Sequence, residues 1–186
     1  GGVAIGVVNV VNAPVLFPAA AILDPTFKAG FDMFAGRATT VLPNCTGSTS
    51  LISFRLAAAI RAGTHPPVIS CRKGDVEASP LVGELLILDA AEQAAVTQRV
   101  ADYNAAIRTK AEALGWAYFD PNPALALLRA SGDIPAVPNL ADPVNPFGTY
   151  MSLDGVHPRR SAHVLVANGV IAAINAAYGE NLPAVQ

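Results

Sequence analysis

The sequence predicts an α/β domain, and three observations carry that reading. Ile5–Val11 is a β-branched run suited to a parallel strand covered on both faces. A capped helix beginning at Asp89 leads directly into a short apolar strand at Trp116–Phe119. An irregular, proline-rich loop then precedes a last helix over Ser161–Tyr178. Strand, helix, strand, helix, loop, helix is an α/β order, and no internal repeat interrupts it.

Composition bounds what such a domain can do. At 186 residues, 52% hydrophobic and 14% charged, the chain can build one sizeable core. Its formal net charge is -2 and no basic stripe is visible, so nucleic-acid binding has little electrostatic support. Residues 1–23 carry no charge, but Asn9, Asn12, Pro14 and Pro18 interrupt the run. A buried strand followed by an apolar loop fits it better than a transmembrane segment. No basic stretch precedes the run, which argues against a signal peptide. The chain opens Gly1-Gly2-Val3 and moves straight into a core strand, which leads us to expect one domain over 1–186 whose first part lies upstream.

The elements follow in order. Asp24-Pro25 pairs an N-cap with proline at the first helical position, Phe27, Phe31 and Phe34 share a helical face, and Gly36 stops the helix. That face is core-facing or, alternatively, an apolar cap over an acyl-binding cleft. A second short helix is expected at about 51–62, ending at Gly63, and His65 in the following turn receives no role. Cys45 and Cys71 lie 26 positions apart. A disulfide would close a loop contributing ~3 kcal/mol and would tilt localisation to the envelope or exterior. Two buried free thiols are the alternative. Asn44-Cys45-Thr46 matches a glycosylation sequon too short to use.

Asp89 with Glu92 resembles a capping box, Val96, Val100, Tyr103, Ile107, Ala111 and Leu114 repeat at helical spacing, and Gly115 ends the run. Asp120-Pro121-Asn122-Pro123 turns the chain into a helix over about 124–131, with Leu125 and Leu128 inward. Residues 132–150 form an irregular surface loop. Val164, Asn168, Ile171, Ile174 and Tyr178 then mark one stripe of the last helix, closed by Gly179.

Chemistry concentrates at Asp154 and His157, in Asp154-Gly155-Val156-His157-Pro158. Three residues across a turn allow the carboxylate to reach the imidazole Nδ1, and Gly155 frees the backbone to make that turn. Such a pair fixes the tautomer and stabilises the imidazolium formed in acyl transfer. Nε2 would then serve as general base and later as general acid. A solvated turn with a surface histidine is the alternative. No metal site is expected, since His163 follows His157 on a helix with no third ligand at suitable spacing. No cofactor is implied.

The stretch Ser152–Pro158, followed by Ser161–Asn168, resembles the last signature block of SGNH/GDSL-type hydrolases, and the Asp89–Tyr118 unit with Tyr103-Asn104-Ala105-Ala106-Ile107 resembles the segment before it. The resemblance covers about 87–178 and is looser over 1–86, where the cysteines and long loops resemble a secreted bacterial branch. It implies a flavodoxin-like three-layer α/β/α sandwich with a parallel sheet. It also implies an esterase or lipase working through a Ser-His-Asp acyl-enzyme mechanism, with Asp154 as acid and His157 as base of the triad. Partners would be small-molecule or lipid esters, with the oligomeric state left open.

The sequence departs from that family at its nucleophile. No Gly-Asp-Ser triplet occurs: Gly74-Asp75 precedes Val76, and Gly132-Asp133 precedes Ile134. The oxyanion-hole Gly and Asn blocks cannot be placed either. Ser48 is the best internal serine on composition, but it lies outside any GxSxG elbow. These residues alone are therefore expected to lack esterase activity. The rival readings are a non-catalytic lipid- or glycan-binding module and an interaction fragment whose sheet edge another chain completes.

Overall fold

Short strands alternate with longer helices, as the pattern predicts, but among the described residues the strands fall into three small sheets. The structure, a computed structural model, describes residues 1–72 and 86–186. Gly74 and Asp75, and the end of the proline-punctuated stretch, lie outside the described residues. Strand β1 (Val3–Ile5) pairs in parallel with β7 (Ala117–Phe119), Val3 opposite Ala117 and Ile5 opposite Phe119. Strands β2 (Leu16–Pro18), β4 (Leu51–Ser53) and β6 (Ile87–Leu88) form an antiparallel sheet in the order β2-β4-β6. Strands β3 (Thr40–Val41) and β5 (Val68–Ile69) pair in parallel. Among the described residues five α-helices pack around them: α1 (Pro25–Ala35), α2 (Arg55–Arg61), α3 (Ala90–Ala113), α4 (Asn122–Ser131) and α5 (Arg160–Tyr178). The architecture is mixed α/β.

Local signals set the helix ends. The Asp24 carboxylate accepts from Phe27 N–H at 2.8 Å and Gly36 adopts a left-handed φ of 70°. At α3 both halves of the capping box are made: Asp89 accepts from Glu92 N–H and Glu92 accepts from Asp89 N–H.

Two expectations require correction. The strand expected at Ile5–Val11 is paired only over Val3–Ile5 and ends where Gly6 N–H reaches Phe119 O at 2.8 Å. Its partner turns away at Asp120-Pro121, so Val7 has no backbone ladder to join. The Asn104 side-chain amide replaces that ladder, accepting from Val7 N–H at 2.6 Å and donating to Val7 O at 3.0 Å. The helix expected at 51–62 begins only at Arg55. Leu51–Ser53 is the central strand of the antiparallel sheet, where β-branched Ile52 is fully buried between β2 and β6.

The main core is aromatic. Phe17, Phe31, Ile22, Ile52, Leu56 and Ile60 are fully buried there. Phe27 is buried too and Phe34 packs against the cluster, so the phenylalanine face of α1 is core. Phe54 sits at the hub, edge-on to Phe17, Phe31, Phe34 and Phe147 at 5.3–6.4 Å between centroids. Cys45 and Cys71 form a disulfide within this core. Asn44 is occupied beside it, accepting from Cys71 N–H and donating to the Ser70 hydroxyl. His65 is buried, with Nδ1 2.7 Å from Pro66 O. A second cluster of Leu128, Ile134, Phe147 and Met151 lies under the site described next, joined to the first through Phe54 and Phe147.

Candidate catalytic dyad

The loop that carries Asp154 and His157 is a closed turn with few degrees of freedom. Ser152 N–H donates to His157 O at 2.8 Å, Arg159 N–H donates to Tyr150 O at 2.9 Å, and Met151 bridges Pro158. Gly155 turns the loop at a φ of 67°. A Cβ there would also lie 2.9 Å from both the Phe147 ring and Val15 N, so glycine is required for conformation and for space. Gly155 O accepts from Val15 N–H at 3.1 Å. That bond ties the loop to the residue that leads into β2. Beyond it, the Arg159 guanidinium donates to Asn145 Oδ1 at 2.5 Å and Val144 O at 2.7 Å, anchoring the start of α5.

Asp154 and His157 meet within this turn. Asp154 Oδ2 lies 2.5 Å from His157 Nδ1, well inside the range of a charge-assisted hydrogen bond. The other oxygen, Oδ1, accepts from Ser152 Oγ, Val156 N at 2.9 Å and His157 N at 3.0 Å. These bonds, that of the Ser152 hydroxyl foremost and His157 next, hold the Asp154 carboxyl well below the usual carboxylate range. A carboxylate so fixed presents one lone pair to Nδ1, which selects the tautomer with Nε2 free as an acceptor. Nε2 makes no hydrogen bond among the described residues.

The dyad is open to solvent, with side chains 78% exposed at His157 and 49% at Asp154. In a working acyl-transfer site the orienting carboxylate is buried and water is held out. The isolated turn therefore orients an imidazole but does not enclose a substrate. Ser48 does not join it: its hydroxyl donates to Cys71 O at 3.4 Å and accepts from Ser50 N–H at 3.2 Å beside the disulfide.

Ser152 is a functional residue that the sequence pattern leaves without a role, although a hydroxyl two positions before an aspartate at a turn is a signal for it. Asn104, held between α3 and the end of β1, was also missed; a polar residue on a helix that must pack against a strand was the available cue. Two cavities stand out among the described residues, and neither is lined by Asp154 or His157. One, about 520 Å³, lies beside Asn9, Asn104, Asn122 and Asp120 at the C-terminal ends of β1 and β7. The other, about 580 Å³, is an apolar groove between α1 and Val137–Ala141. Among the described residues no group of three His, Cys, Asp or Glu side chains is placed to hold a metal. Helix α5 is long and apolar enough to cross a membrane by length and composition. In this fold it lies against β7, Gly169 so close that a Cβ there would be 2.3 Å from the Phe119 ring. No family model, curated protein or solved structure matches the chain.

Proposed function

We propose that this chain supplies the acid–base half of a carboxylic ester hydrolase of the SGNH/GDSL kind. Asp154 orients His157, and His157 serves a serine nucleophile that lies outside residues 1–186. The observation that carries the reading is the 2.5 Å contact of Asp154 Oδ2 with His157 Nδ1, with Nε2 unbonded among the described residues. As the serine oxygen attacks the ester carbonyl, its proton passes to Nε2 and Asp154 stabilises the imidazolium. That proton then goes to the departing alkoxide, leaving an acyl-enzyme. Water repeats the sequence and releases the carboxylic acid.

Three further features support the reading. The outer edge of β1 has no strand partner among the described residues, and Ile5, Val7 and Val8 beside it are exposed. More strands of a flavodoxin-like three-layer sandwich would cover them, with α3 and α5 on its faces. The openness of the dyad calls for residues that exclude water, which the nucleophile's segment would bring. The disulfide is compatible with an oxidising compartment, so we place the protein outside the cell or in a bacterial envelope.

The test is to express the gene with its upstream sequence and assay a short-chain nitrophenyl ester. Turnover is expected, falling about 10³-fold or more in His157→Ala, whereas residues 1–186 alone should show none. Turnover by residues 1–186 that His157→Ala abolishes would overturn the external serine. A Gly-Asp-Ser block restored upstream without any turnover would sink the enzyme. The unpaired β1 edge also favours a second reading, an interaction fragment completed by another chain. It expects oligomers of residues 1–186 in solution and inactivity after the upstream sequence is restored.

A further inference from the structure

Helix α5 carries two asparagines seven positions apart, Asn168 and Asn175, which places both on one face two turns apart. Gly179, left-handed at a φ of 66°, ends the helix and sends the following segment back along that face. Each asparagine then reads the backbone of a single residue with both halves of its amide. Asn175 accepts from Leu182 N–H at 2.9 Å and donates to Leu182 O at 3.0 Å. Asn168 accepts from Val185 N–H at 2.8 Å and donates to Val185 O at 3.1 Å. Arg160 adds a longer contact to Gln186 O at 3.3 Å.

The spacing explains why the pairs fall in register. Seven helical residues rise about 10.5 Å, and three extended residues span about 10 Å. Pro183 keeps Leu182 out of the helical region, so the segment stays extended between the two contacts. Leu182 and Val185 remain 44% and 45% exposed, so main-chain hydrogen bonds supply the recognition. From this geometry we infer that the outer face of α5 is a binding site for an extended peptide, read through its backbone by Asn168 and Asn175, with the chain's own residues 180–186 as resident ligand.

A tethered segment of this length acts at an effective concentration in the millimolar range. For it to occupy the site nine times in ten, the same peptide supplied separately must bind with a Kd about nine times below that concentration, on the order of a few tenths of a millimolar. The site would accept varied side chains at both positions and reject any peptide lacking either amide N–H.

The experiment uses the whole chain carrying Leu182→Pro and Val185→Pro, which delete the two donors and leave α5 untouched. A fluorescein-labelled peptide spanning 179–186 is titrated into it by anisotropy. Saturable binding with a Kd on the order of a few tenths of a millimolar or below is expected, about tenfold weaker or worse when Asn168→Ala or Asn175→Ala is added. A peptide N-methylated at the amides of Leu182 and Val185 should not bind, while one truncated to alanine there should bind within about threefold. In the unaltered chain, the amides of Leu182 and Val185 should exchange slowly with deuterium and lose that protection in the two asparagine variants. Absence of binding at several millimolar peptide, equal loss from side-chain truncation and N-methylation, or unprotected amides would each overturn the inference.

Discussion

Helices α1 and α3 use their length in opposite ways. In 11 residues α1 buries Phe27, Phe31 and Ala35, whereas 24 residues of α3 bury only Asn104 and Ala111. The same contrast separates two regions of the molecule. Around α1 and α2 a dense aromatic core closes over a disulfide. Around β1 and β7 the packing is open: Ile5, Val7, Tyr103, Leu114 and Trp116 are exposed, and α5 buries only Ala162. The first region is held by apolar area, and the second by side-chain amides that clamp backbone. The difference teaches that legible chemistry does not require burial of the reacting groups, because the Asp154 and His157 side chains are open to solvent although their turn rests on the buried Phe147 and Met151.

The contrast can be broken or sharpened by measurement, beginning with the largest effect. In the protein with its upstream sequence, Asp154→Asn is expected to lower ester turnover about 10⁴-fold, by leaving His157 in the wrong tautomer. A small effect would make the dyad a solvated turn. Next, Phe31→Ala should lower unfolding stability by about 3–5 kcal/mol in denaturant titration, since its ring meets Phe17 and Phe54 edge-on. Reduction of Cys45–Cys71, or Cys71→Ser, should cost about 2–5 kcal/mol and act on the same region. Asn104→Ala should cost less, about 1–3 kcal/mol, by leaving Val7 N–H without its acceptor while Asn122 Nδ2 still donates to Val7 O. Trp116, the only tryptophan, lies in the open region against Gly2 and reports on it by fluorescence. If Asn104→Ala shifts Trp116 emission at lower denaturant while the aromatic core persists, the two regions unfold separately. A single shared transition would break the comparison.

The smallest effect is one of pH. The folded Asp154 carboxyl lies below its ordinary value of about 4, so its contribution to stability is complete above that value. It is lost only as pH falls further, through the lowered folded value. Carboxyl chemical shifts should therefore show Asp154 still ionised when free carboxylates have titrated. In Ser152→Ala its midpoint should move back up, because the Ser152 hydroxyl is the foremost bond holding it down.

Much of the molecule was legible because its causes are local. Asp24 and Asp89 cap helices through bonds spanning three residues, Gly36 and Gly179 end them by backbone conformation, and Asp154 reaches His157 within one turn. In each case the sequence itself holds both partners within a few positions. Two cysteines likewise left one intramolecular pairing, and the fold decided that it forms. What the sequence could not supply is which strands meet. The length of β1 depends on where β7 turns away, and Leu51–Ser53 is a strand because β2 and β6 lie on either side of it. The clamps of Asn104 on Val7 and of Asn168 on Val185 need the chain to have returned to the same place. Local bonds follow from neighbouring residues, whereas an amide's choice of a distant backbone partner exists only once tertiary packing has set the distance.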